Sequence, residues 1–140
     1  MSPEEYINKE CEKFLKLCKE INYEAQWNYV LEEICQLDEA RDYAIKEKWP
    51  EGTPRELENS IAIQWGAVFS RMLASSYISK WSVDPQTKTP TVTIKCGPVA
   101  TQVQAMLLGA KAFNDGTLFA DLANELVAHL ATQGAEEVSN

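Results

Sequence analysis

The chain is poor in the residues that usually advertise chemistry. It has one histidine, His129, and its four cysteines (Cys11, Cys18, Cys35 and Cys96) include no CxxC pair. A structural zinc site draws four thiolate or imidazole ligands from characteristic spacings, and neither the ligands nor the spacing is there. The sequence therefore predicts no metal and no cofactor. No apolar run approaches the roughly 20 residues that cross a bilayer. The opening Met1-Ser2-Pro3-Glu4-Glu5 is acidic and lacks the basic start and apolar core of a secretion signal, so a cytoplasmic location is expected. With no oxidising compartment indicated, the thiols should be reduced, and three of them replace apolar residues in helical stripes. Basic residues are scarce as well. Thirteen Lys and Arg against 21 Asp and Glu leave a net charge of −8, which argues against nucleic acid or an anionic membrane as partner.

What remains is an ordinary globular composition. At 140 residues, with 45% hydrophobic and 24% charged, the chain is one domain long and able to bury a core. The acids are unevenly spread: 12 against 7 bases in residues 1–50, 4 against 5 in 51–98, and 5 against 1 in 99–140. A near-neutral apolar centre with acidic helices around it fits those counts; the excess acid is compatible with a basic partner, and solubility alone explains it equally well.

Apolar periodicity outlines the elements. Ser2-Pro3-Glu4-Glu5 reads as a capped start for a helix whose apolar face is Ile7, Cys11, Phe14, Leu15 and Cys18. After a break near Asn22, Trp27, Val30, Leu31, Ile34 and Cys35 suggest a second helix; Asp38 then either caps a third, Glu39 to Trp49, or sits at a bend. Trp49-Pro50-Glu51-Gly52 is a loop. Thr53-Pro54-Arg55-Glu56 repeats the capped start for a helix running to about Ser79. Along it Ile61, Trp65, Val68, Phe69, Met72 and Leu73 form the apolar face. Ala62, Gly66, Ser70 and Ala74 form a small-residue row that invites close approach of another backbone.

Two strands follow, Trp81–Asp84 and Thr91–Cys96, joined by a loop with prolines at both ends. Alternation points Trp81, Val83, Val92, Ile94 and Cys96 inward and Thr91, Thr93 and Lys95 to water. Val99, Val103, Met106, Leu107 and Ala110 then read as a helix ended by Asn114-Asp115-Gly116. A last helix, capped by Thr117, carries Phe119, Leu122, Ala123, Leu126, Val127 and Leu130. The predicted fold is helix-rich α+β, five to six helices around one antiparallel hairpin, with a globular domain over 1–132 and a loose tail over 133–140. A lone hairpin is marginal, so it must pack on the long helix or gain strands in a homodimer.

The segments Ile63-Gln64-Trp65-Gly66-Ala67-Val68-Phe69, Lys80-Trp81-Ser82-Val83-Asp84-Pro85 and Val92-Thr93-Ile94 together resemble a pattern in small bacterial α+β domains. There a helix with a Trp-Gly or Leu-Gly pair feeds a Trp-initiated hairpin and closing helices separated by a glycine, here Gly116. The resemblance covers roughly residues 55–130 and implies a fold and a bacterial source, with no catalytic residue attached.

Few residues offer chemistry. A cysteine–histidine pair would join Cys96, at a strand end, to His129, with Asp121 or Glu125 orienting the imidazole. Alternation nevertheless predicts a buried Cys96, and no local signature surrounds it. Asp38, Glu39 and Asp42 cluster without the ligand order or the glycine of a calcium loop, so capping and solvation explain them. Gly109 to Gly116 lacks the Gly-Lys-Ser/Thr of a phosphate loop and flanks a helix end. Trp49, before Pro50 and outside the strong stripes, is a candidate interface anchor alongside Glu39 and Asp42. The leading expectation is a non-enzymatic interaction or accessory protein. Its rival is a small-molecule-binding protein or hydrolase-type enzyme with a pocket between hairpin and helices, using Cys96, His129 and Asp121.

Overall fold

A computed structural model describes residues 1–138. The order is α1 (Pro3–Glu20), a single 3₁₀ turn (Leu31–Glu33), α2 (Ile34–Glu47), α3 (Glu58–Ser76), β1 (Ser79–Val83), β2 (Pro90–Cys96), β3 (Val99–Val103), α4 (Ala105–Asp115) and α5 (Phe119–Thr132). This is α+β, with helices against one antiparallel sheet of order β1-β2-β3.

α3 is the axis of the molecule. Eleven of its 19 residues are buried, Trp65, Val68, Phe69 and Met72 completely. Apolar residues surround it because it has neighbours on several sides: α1, α4 and the sheet. The small-residue row meets α4. A Cβ built on Gly66 would lie 2.2 Å from the Met106 carbonyl oxygen, and one on Gly109 would lie 2.7 Å from the Gly66 Cα. The two glycines stand back to back, and any side chain at either would push the helices apart. On the α1 side Phe14 meets Trp65 edge-on at 4.9 Å and Trp27 at 5.0 Å. The Trp65 indole donates to the Leu37 carbonyl at 3.0 Å, which satisfies its one polar atom inside the core.

The sheet has three strands where the sequence suggested a hairpin. Val99 and Val103 also fit helical spacing, but Gly97 adopts φ +62° at the first of two loop residues and turns the chain straight back beside β2. β2 is thus central, with Val92, Ile94 and Cys96 fully buried. Thr91, expected to face water, is buried because Ser82 bonds its hydroxyl at 2.7 Å and Gln102 donates to it at 2.9 Å. Val83, expected inside, is exposed near the end of its edge strand.

Three helix boundaries also differ. Residues 23–30 are irregular rather than helical, Asn22 and Tyr29 taking left-handed backbone angles (φ +57° and +58°) that interrupt a right-handed helix. The Glu33 carboxylate collects the backbone N–H groups of Asn28 and Tyr29, each at 2.9 Å, and holds this segment in place. α2 is then one uninterrupted helix, with Asp38 inside it and Cys35 exposed. α3 begins at Glu58 rather than at the Thr53-Pro54 signal. Beyond α5, Glu137 bridges to Tyr77 and the Val138 N–H donates to the Ser76 carbonyl at 2.8 Å. Of the expected tail, 139–140 lie outside the described residues.

Candidate functional site

The Cys96–His129 pair is not assembled. Cys96 is fully buried on the inner face of β2, its Sγ 3.6 Å from the Ile94 carbonyl oxygen. His129 is exposed on α5, with its Nε2 3.0 Å from the Gln133 amide nitrogen, and Asp121 and Glu125 are exposed on the same helix. Burial also pushes the Cys11 and Cys18 thiols up to about 12, so neither is a nucleophile near neutrality.

The acidic cluster is dispersed among three tasks. Asp38 reaches from the first half of α2 to the start of α5, where its carboxylate accepts the Phe119 N–H at 2.6 Å and the Ala120 N–H at 3.1 Å. It caps the helix that the sequence assigned to Thr117; the N-cap residue Leu118 has no side chain able to do so. Arg41, one turn along, is buried. Its guanidinium donates to the Ala112 and Thr117 carbonyls at 3.1 and 2.8 Å and to Asp38 at 3.3 Å. The pair therefore fastens α2 to the α4–α5 corner, with cation and anion each at the helix end its charge suits. Glu39 instead accepts the Tyr23 hydroxyl at 2.7 Å; burial first, then this carboxylate, raises the tyrosine pKa. Asp42 is exposed on an open cleft of about 880 Å³ that Arg41, Arg55, Asp115 and Leu118 also line. Trp49, the aromatic anchor proposed from sequence, is buried at 8% exposure with Lys48 over its ring, and so is part of the core. Among the described residues no group of three His, Cys, Asp or Glu is placed to hold a metal ion.

Two further surfaces bear on function. The first is the outer edge of β3. Hydrogen bonds from Lys95 N to Ile78 O and from Asp84 N to Thr89 O place residues 91, 93 and 95 of β2 toward β1. By alternation 92, 94 and 96 pair with Val103, Thr101 and Val99. The peptide groups of Ala100 and Gln102 accordingly point away from the sheet. The strand reads Val-Ala-Thr-Gln-Val, with no charge and no proline.

The second is a cleft of about 400 Å³ between α1, the end of α3 and the start of β1, lined among others by Glu4, Asn8, Arg71, Ser75, Ser79 and Trp81. Arg71 is half-buried, its guanidinium carbon 3.6 Å from the centre of the Tyr29 ring. Sequence reasoning passed over it, although a signal was present: Glu58 and Arg71 are the only charged residues of α3. No helix of the described residues is long and apolar enough to cross a membrane. No protein-family model, no curated protein and no solved structure matches this chain.

Proposed function

We propose that the protein is a non-enzymatic interaction module that takes an extended segment of a partner polypeptide onto β3 as a fourth strand. The observation that carries this reading is the unprotected edge. Sheet edges are ordinarily blunted by lysine, proline, a bulge or a covering element, and β3 has no lysine or proline within it. The outward peptide groups of Ala100 and Gln102 supply main-chain bonds, and exposed Val99 supplies an apolar contact beside them. A net charge of −8 favours a basic partner by long-range attraction over a second, equally acidic copy.

Ala100→Pro tests this without disturbing β2, because the N–H it removes faces outward. Tagged parent protein recovers the partner from its native source, and amide exchange is then measured free and bound. The expectation is new protection at Ala100 and Gln102 on binding, and loss of binding in an Ala100→Pro variant that melts like the parent. A partner that binds that variant undiminished, or leaves both amides exchanging at their free rate, refutes strand addition. Sedimentation of the parent alone identifies a second copy as the occupant if β3 pairs with itself.

A further inference from the structure

We propose that the cleft between α1, the end of α3 and β1 is a binding site for a small anion, a carboxylate or a phosphate monoester, anchored by Arg71. The starting point is a cation without a counter-charge. Arg71, like nine of the other Lys and Arg residues, is in none of the ion pairs found among the described residues, Lys13–Glu10, Arg41–Asp38 and Lys48–Glu20. What distinguishes it is that it is half-buried in a cleft and packed on an aromatic ring.

The holding is specific. Tyr29 lies under the guanidinium at 3.6 Å, in a left-handed backbone conformation that costs a non-glycine residue free energy. That conformation is maintained by the Glu33 carboxylate on the Tyr29 N–H and by the Ser75 hydroxyl, which donates to the Tyr29 carbonyl. Stacking on the ring holds the guanidinium in place. One of its donors is directed at the buried Cys11 thiol. Arg71 makes no hydrogen bond to an oxygen among the described residues, so its remaining N–H groups are available on the cleft side. A pre-oriented fork of this kind matches the two oxygens of a carboxylate or phosphate, which a flexible ammonium would not.

The walls add further donors. The Asn8 amide and the Trp81 indole donate to no protein group among the described residues, whereas the core Trp65 indole does. Lys80 and Ser82 spend their peptide groups on β2, so by alternation the Trp81 N–H lies on the outer edge of β1, beside the cleft. Ser75 and Ser79 give their protons to backbone carbonyls (Ser79 to Ala74 at 2.7 Å) and so present lone pairs only. Glu4 at the lining presents acceptors too. The ligand that uses both sets carries an anionic group for Arg71 and a hydroxyl or ammonium for Ser75, Ser79 and Glu4. A volume of about 400 Å³ limits it to a small metabolite, near the lower bound for ligand pockets. Arg71, Asn8, Trp81 and Glu4 are remote in sequence from β3, so this site stands or falls independently of strand addition.

The test is a titration of ¹⁵N-labelled protein followed by NMR, using sodium phosphate, lactate and L-serine as separate probes, with sodium chloride at matched ionic strength as the control. The expected result is a saturable shift of the Arg71 Nε–H, the Asn8 amide and the Trp81 N–H groups with at least one probe. Which probe saturates separates phosphate from carboxylate and shows whether the ammonium adds affinity. Arg71→Gln should weaken binding by about tenfold or more, Arg71→Lys by less, and Glu4→Gln should strengthen binding of phosphate. Melting curves of each variant check that the fold is kept. Absence of saturation at millimolar concentration of every probe overturns the proposal. So does a Kd that a folded Arg71→Gln variant leaves unchanged.

Discussion

Gly66→Ala is the sharpest test of how this fold is held together, because two effects of known size act in opposite directions. In an isolated helix alanine is better than glycine by about 1 kcal/mol, so propensity alone predicts a more stable protein. In this structure the new methyl carbon would sit 2.2 Å from the Met106 carbonyl oxygen and 3.1 Å from the Ala110 nitrogen. Both obstacles are backbone, so no side chain can swing aside and α4 as a whole must retreat. Overpacking of this kind costs about 3 kcal/mol at the upper end of its usual range. Set against the propensity gain, the net loss is about 2 kcal/mol. For a chain of this length that lowers the melting temperature by roughly 8 °C. Denaturant titration and calorimetry on parent and variant measure it directly. Gly109→Ala loads the same contact from the other side, its Cβ 2.7 Å from the Gly66 Cα. Once α4 has moved for one methyl the second is partly accommodated, so the double variant should lose less than the sum. A Gly66→Ala protein as stable as the parent, or more so, would refute the close approach of α3 and α4.

Arg41→Met removes the bonds to Ala112 and Thr117 and leaves Asp38 without its cation, so it should cost about 3 kcal/mol by denaturant titration. Asp38→Asn with Arg41→Met should cost less than the two separately, and strictly additive losses would show that the pair does not act as a unit. Of the four thiols only Cys35 is exposed, so a thiol reagent should find one fast group in the native protein and four after denaturation. Cys11 and Cys18 have their pKa raised by burial from 9.0 to about 12, so the folded state keeps protons that the unfolded chain releases. Their contribution to stability is full below pH 9.0 and declines as pH rises toward 12; replacing both with alanine should flatten that decline, and an unchanged alkaline slope would contradict it.

What local pattern could reveal and what it could not divide along a physical line. The first helix, the long central helix and the helix ending at Gly116 are driven by apolar stripes and short-range caps, and the structure has all three. The Ser2 hydroxyl accepts the Glu5 N–H at 3.1 Å, and Gly116 takes φ +74° as a left-handed helix end. The failures occur where the deciding contact is remote or where two periods coincide. Trp27, Val30, Leu31 and Ile34 keep helical spacing, yet residues 23–30 are held out of a helix by the Glu33 carboxylate and by packing of Trp27 on Phe14. Val99 and Val103 satisfy both a helix and a strand, and only the glycine turn before them decides. Trp49 lies outside every stripe but is drawn into the core by the backbone bond of its N–H to the Ala44 carbonyl at 3.1 Å.

Function was harder to read for the same reason. Asp38 resembles a cap for its own helix and in fact caps one 81 residues away, a pairing that no i, i+3 rule can see. Cys96 and His129 attracted attention as rare residue types, whereas the cleft is built from common ones whose significance lies in what they are not bonded to. Arg71 shows how such a site can be found. A helix interior that is apolar on every side tolerates a charge only where that charge has a partner or reaches solvent. The positions three and four residues from Arg71 along the helix are Ala67, Val68, Ala74 and Ser75, with no carboxylate among them. The support that Arg71 takes from the Tyr29 ring and Glu33 then explains why the intervening segment is not a helix: a continuous helix could not place that ring beneath the guanidinium with φ held at +58°.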